Sequence, residues 1–197
     1  MLCHKLFPQF VDDLWAEVNL NSIALKYADE PIQTNESHWV EELHRMLGVN
    51  HSWGGWLEHR NFIFRNHYHK DIGEDHFWHL GVDYNIPVYS DVHLPVDAKL
   101  IVSEVDSDQD GGWGGKLIFN SPKGLFILGH LDRIVTDLRD YVAGDVVGRV
   151  ADASVNGNWF PHLHVQCCRI LDLKVDGYSH RYEGIEVDFP NPEIQLV

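Results

Sequence analysis

A chain of 197 residues, 44% hydrophobic and 23% charged, has enough apolar side chain to fill one core and too little charge for global disorder. Fifteen Lys and Arg against 30 Asp and Glu leave a formal charge of -15, which opposes binding to nucleic acid or anionic lipid, because both recruit cationic side chains to phosphate. The three cysteines, two of them adjacent at Cys167 and Cys168, make no disulfide framework, and no run approaches the roughly 18 apolar residues of a membrane span.

Apolar residues at Phe7, Phe10, Val11, Leu14, Trp15 and Val18 keep helical spacing, with Pro8 suited to a first turn, and predict a helix over 7–18. A second helix is expected over Ser37 to Leu47, with Trp39, Val40, Leu43, Met46 and Leu47 on one stripe and Gly48 ending it. Residues 1–50 thus read as a helical N-terminal extension and residues 51–197 as the main domain. The first residues show no apolar core of a signal peptide, so the chain is expected in the cytoplasm, or in the periplasm or medium if a leader was removed.

From Ser52 onward, short apolar runs alternate with turn residues. Phe62–Phe64, Val82–Val88, Lys99–Val105, Lys116–Phe119, Leu125–Leu128, Val146–Val150, His162–Ile170 and Gly184–Phe189 read as strands. Asp106 to Gly115 and Ser121 to Gly124 read as turns or loops. The expected architecture is mainly β: an antiparallel two-sheet β-sandwich or barrel-sandwich hybrid with the helical extension at its N-terminus. The adjacent cysteines suit a strand with one thiol pointing in and the other out.

Three short stretches carry the chemistry. His79-Leu80-Gly81-Val82-Asp83 brackets a glycine with an imidazole and a carboxylate. Gly129-His130-Leu131 adds one imidazole, and Pro161-His162-Leu163-His164 adds two that share a face if the segment is a strand. A catalytic zinc takes three N or O ligands and keeps one position open, so one Asp and four His suffice for the metal and its acid–base groups. With 14 histidines in the chain, chance pairs are also expected. His67-Tyr68-His69, with Glu74 and Gly81, is similar to the first metal motif of cupins, although Asn61 stands where that motif has a glycine and no second cupin motif follows.

Five segments in order resemble the lysostaphin-type zinc metallopeptidases, which cleave peptides of peptidoglycan. His79 to Asp83 matches their His-x-Gly-hydrophobic-Asp motif, and Gly112 to Ile118 their glycine-containing cleft turn. Gly129-His130-Leu131, Gly144-Asp145-Val146-Val147-Gly148 and Pro161-His162-Leu163-His164-Val165 match three further motifs, and Arg65 is placed near an upstream arginine of the family. The similarity spans residues 55–170. It implies one zinc per chain on His79, Asp83 and His164, His130 and His162 as the catalytic pair, and a peptide or peptidoglycan substrate. The chain departs from the family pattern at Leu128, where members carry tyrosine, and at Asn158-Trp159-Phe160, where they are small and glycine-rich. Two other functions follow from the same residues: a zinc-binding, catalytically degenerate domain with a regulatory or binding role, and a cupin-type metalloenzyme using His67, His69 and Glu74.

Overall fold

Period-two alternation of side chains sets the architecture, because successive residues of a strand point to opposite faces of the sheet. The computed structural model describes residues 1–20, 37–60, 78–106, 112–156, 159–179 and 181–197. The expected strand Phe62–Phe64, residues 107–111 of the Asp106 to Gly115 loop, Asn158, Arg65 and the cupin-like His67, His69 and Glu74 lie outside these residues.

The described elements are α1 (Leu2–Leu6), β1 (Trp15–Glu17), α2 (Ser37–Leu47), β2 (His51–Gly54), β3 (Trp78–His79), β4 (Val82–Asn85), β5 (Asp91–His93) and β6 (Ala98–Val105). They continue with β7 (Gly115–Ser121), β8 (Gly124–Ile134), β9 (Asp140–Tyr141), β10 (Val146–Val150), β11 (His162–Cys168), β12 (Tyr178–Ser179), α3 (Ile185–Asp188) and α4 (Pro192–Gln195). The protein is mainly β. In place of two packed sheets, the strands form one ten-stranded ladder in the order β1-β2-β4-β11-β8-β7-β6-β9, with β10 joining β8 and β5, and a separate β3–β12 ribbon. The long β8 makes this continuity. Its first half pairs with β11 through Leu125 to Gly129, and its second half pairs with β10 through Leu131 to Ile134. Pairing between the named strands is antiparallel except between β1 and β2.

One face of β4, β11, β8 and β7 builds the main core from Val82, Tyr84, Leu163, Val165, Cys167, Phe126, Leu128, Leu117 and Phe119. The opposite face carries Asp83, His162, His164 and Gln166, with a smaller cluster of Ile118, Ile127 and Cys168 beside them. The two cysteines accordingly lie on opposite faces. Burial pushes the Cys168 thiol up to about 11 and that of Cys167 further still, so both are poor nucleophiles.

The N-terminal helix expected over 7–18 is replaced by a single 3-10 turn at Pro8–Phe10 and by β1, with the short α1 preceding them. Tertiary contacts outcompete the helical spacing. Phe7 packs on Tyr84 and Trp15, Leu2, Cys3 and Leu6 enter the main core, and Trp15 to Glu17 pairs in parallel with His51 to Trp53. Val11 and Leu14, assigned to the apolar stripe, are exposed. Helix α2 forms over the expected residues, but it turns Val40 and His44 inward and leaves Met46 and Leu47 exposed. The expected strand Gly184–Phe189 instead holds the helix α3, capped by its two end residues. Gly184 takes φ of 79° at its N-terminus, only Ile185 of the segment is buried, and Val187 faces solvent.

Candidate metal centre

Strand register brings the two principal motifs together. His164 sits opposite Asp83 on β4 and opposite Gly129 on β8, and His162 sits opposite Asn85. His79 ends β3, and Leu80 and Gly81 separate it from the start of β4, which carries Asp83. Gly81 is required between them by a close approach: a Cβ there would lie 2.5 Å from the Val165 carbonyl and 2.6 Å from His164 Nε2. Gly129 is similarly constrained, since a Cβ would stand 2.6 Å from the Trp113 ring.

Three donor atoms converge. His79 Nε2 lies 3.0 Å from His164 Nδ1, His164 Nδ1 lies 3.0 Å from Asp83 Oδ1, and His79 Nε2 lies 3.3 Å from the same oxygen. A tetrahedral ion with ligands at about 2.0–2.1 Å spaces its donors by about 3.3 Å, so the triangle has the size of one face of a zinc site. His79, Asp83 and His164 are also the one His/Cys/Asp/Glu group among the described residues that converges closely enough to hold a metal ion.

The hydrogen bonds behind the triangle fix where the protons are. His79 Nδ1–H donates to the Gly55 carbonyl at 2.9 Å, which leaves Nε2 of the neutral ring as a lone pair. His164 Nε2–H donates to Gln166 Oε1 at 3.0 Å, while the Gln166 amide nitrogen donates to the Asp176 carbonyl at 3.2 Å. With a proton on Nε2 committed to Gln166, Nδ1 is the His164 nitrogen that faces Asp83 Oδ1. Two imidazole lone pairs and a carboxylate oxygen facing one another at 3 Å repel unless a cation lies between them, and this donor set suits zinc.

The electrostatics agree. Burial pushes His79 down to about 4, aided by the nearby Arg60 guanidinium, so the ring is neutral at pH 7. Burial opposes ionisation of Asp83, but the charged Arg60 guanidinium against its Oδ2 holds its carboxyl well below the usual range. Arg60 is itself buried. It places Nη2 2.7 Å from Asp83 Oδ2 and donates from Nε to Glu58 at 2.8 Å. Burial opposes its charge, yet Asp83, Tyr178 and Glu58 keep the guanidinium protonated. Occupying Oδ2 with Arg60 leaves Oδ1 for the metal position.

His162 and His130 stand beside the triangle. His162 Nδ1–H donates to the Phe160 carbonyl at 2.8 Å, so its Nε2, 3.8 Å from Asp83 Oδ1, is a lone pair aimed at the same space. Burial keeps its pKa low, opposed in part by Asp83. His130 has φ of 61° and occupies a bulge in β8, where the register against β7 slips between Gly115 and Leu117. The bulge brings the ring to 4.6 Å from that of His162, centroid to centroid. Burial and the neighbouring His162 push its pKa well down, and its buried Nδ1 has no hydrogen-bond partner among the described residues. Trp113 meets His164 edge-on at 5.2 Å and borders the site. Leu128, where the resembled family has tyrosine, is fully buried in the main core on the opposite face of β8.

All five sequence-selected residues thus come together. Arg60, Gln166, Gly55 and Tyr178 were not selected by sequence reasoning. They have no motif spacing, and only the fold brings them to the ligands. The tautomer-fixing role of Gln166 has one signal in the sequence, its place two residues beyond His164 on the same strand face.

No family model matches the chain, and no curated protein matches it. Among solved structures it is similar to a mutant catalytic domain of the prophage-encoded protein EnpA from Enterococcus faecalis, with 20% identity over 65% of this chain and 86% of that one, TM-score 0.44. It is similar to the catalytic domain of the antimicrobial peptidase lysostaphin from Staphylococcus simulans, with 19% identity over 71% and 90%, TM-score 0.44. A zinc-containing peptidase from Vibrio cholerae matches with 23% identity over 45% of this chain and 26% of that one, TM-score 0.39.

Proposed function

We propose that this protein is a zinc-dependent endopeptidase acting on peptides of the peptidoglycan type. The observation that carries the reading is the convergence of His79 Nε2, Asp83 Oδ1 and His164 Nδ1, with both ring protons committed to outward carbonyl oxygens. When bound there, zinc supplies Lewis acidity and brings the pKa of water from 15.7 to about 7.

The chain's own groups do the rest. His162 presents Nε2 as an acceptor, with Nδ1–H anchored on Phe160, which is the arrangement of a general base that takes a proton from the attacking water. His130, placed next to it by the β8 bulge, can donate a hydrogen bond to the scissile carbonyl oxygen as negative charge builds there. Arg60 orients Asp83 and balances its charge. The substrate class follows from the five-segment resemblance to the lysostaphin-type family.

The test is metal content and cleavage on the purified protein. About one zinc per chain and cleavage of peptidoglycan-type peptides are expected. His130→Ala should retain zinc and lose about 10²- to 10⁴-fold in turnover. Loss of zinc in that variant, or full turnover without His130, would refute the assignment.

A second reading is favoured by burial. His79, Asp83 and His164 are exposed by only 1%, 1% and 3%, and His162 by 5%, which leaves little surface for a peptide. In that reading the domain holds zinc for structure or binding and cuts nothing. Stoichiometric zinc with no cleavage across a peptide library selects it.

A further inference from the structure

Downstream of the motifs, the chain returns to the metal centre. Asp176, Gly177 and Tyr178 lie beyond the segments that resemble a known family, yet each touches the group behind a different ligand. The Asp176 carbonyl accepts from the Gln166 amide at 3.2 Å, and Gln166 in turn accepts from His164 Nε2 at 3.0 Å. The Gly177 carbonyl accepts from Leu80 N at 2.9 Å, next to His79, and β12 pairs Tyr178 directly with His79. The Tyr178 ring packs on the His79 imidazole at 5.2 Å, and its hydroxyl accepts from Arg60 Nη1 at 3.2 Å, the guanidinium that holds Asp83.

We infer that Asp176-Gly177-Tyr178 is an outer clamp of the metal centre, with Gln166 and Tyr178 as positioning residues that set the orientation of His164, His79 and Asp83. The physical basis is tautomer and direction. Gln166 is fully buried, and its amide can accept from His164 only because Asp176 consumes the opposite end, which fixes the amide's orientation. Tyr178 joins the remaining two ligands, one through its ring and the other through its hydroxyl and Arg60. Partners behind a metal ligand tune affinity by about 10- to 100-fold. The inference rests on the zinc reading above.

The test uses the full chain, with zinc affinity measured by chelator competition and cobalt(II) substituted for its visible d–d spectrum. Gln166→Ala is expected to bind zinc about 10- to 100-fold more weakly. Gln166→Glu keeps an acceptor facing His164 but sets a carboxylate oxygen against the Asp176 carbonyl, so it should recover only part of that loss. Tyr178→Phe keeps the ring on His79, drops one oxygen, and should weaken zinc by about 2- to 10-fold. Its cobalt bands should shift while its metal-free melting temperature stays near that of the wild type. If Gln166→Ala does not fold, Tyr178→Phe decides alone. Wild-type affinity and an unshifted spectrum in Tyr178→Phe overturn the clamp, whereas a wild-type chain that binds no zinc overturns the proposed function itself.

Discussion

His164→Ala removes the ligand at the centre of the triangle and offers the sharpest test of the metal reading. In the wild type, an ion that binds only the folded chain stabilises it by RT ln(1 + [Zn]/Kd), about 4.1 kcal/mol when free zinc is 1,000-fold above Kd. For a chain of this length each kcal/mol moves the melting temperature by about 2–4 °C, so zinc should raise it by roughly 8–16 °C over the chelated protein. His164 Nδ1 forms two of the triangle's three edges, both 3.0 Å. Deleting it leaves His79 and Asp83, separated by 3.3 Å, and a His162 Nε2 that at 3.8 Å from Asp83 Oδ1 stands outside the triangle the two complete with His164. The zinc-induced shift in His164→Ala should then fall below about 2 °C by the same relation. The metal-free variant will also melt lower, because the ring packs on Trp113 and against Gly81. The diagnostic is therefore the difference between zinc-loaded and chelated scans of one variant in a calorimeter. A full zinc shift in His164→Ala would refute the reasoning, and retention in His164→Ala with loss in His67→Ala would transfer the metal to the cupin-like residues.

Two further results are expected. Gly81→Ala should be destabilised by at least about 2 kcal/mol in urea and hold less than stoichiometric zinc, because its methyl must displace either the Val165 carbonyl or the His164 ring; wild-type stability and metal content would show that the loop yields freely. His44, buried and held 2.8 Å from Ser52 Oγ, is pushed down to about 4 by burial and by His51. The unfolded chain takes its proton near pH 6.5, so the neutral ring contributes stability above that pH which is lost as pH falls toward 4, by at most about 1.4 kcal/mol per pH unit. His44→Gln should flatten urea midpoints across pH 4–6.5 relative to the wild type, and an unchanged slope would remove His44 as the cause.

Two-residue periodicity is a local property, so the sequence by itself determined that His162 and His164 share a face with Leu163 opposite, and that strands are the prevailing described element between His51 and Ser179. Motif spacing likewise marked His79, Asp83 and His130. The register that sets His164 beside Asp83 was not local, nor was the bulge that turns His130 inward at φ of 61°, because both depend on which strands pair. The helix expected over 7–18 failed for the same reason: Phe7 and Trp15 gain more from Tyr84 and from pairing with β2 than from one helical stripe. Above all, the protons of the ligand imidazoles were decided by Gly55 and Gln166, and the free oxygen of Asp83 by Arg60. The sequence supplied the donor atoms, but only the tertiary structure aimed their lone pairs at one point, because direction in a metal site is set by hydrogen-bond partners that spacing along the chain does not encode.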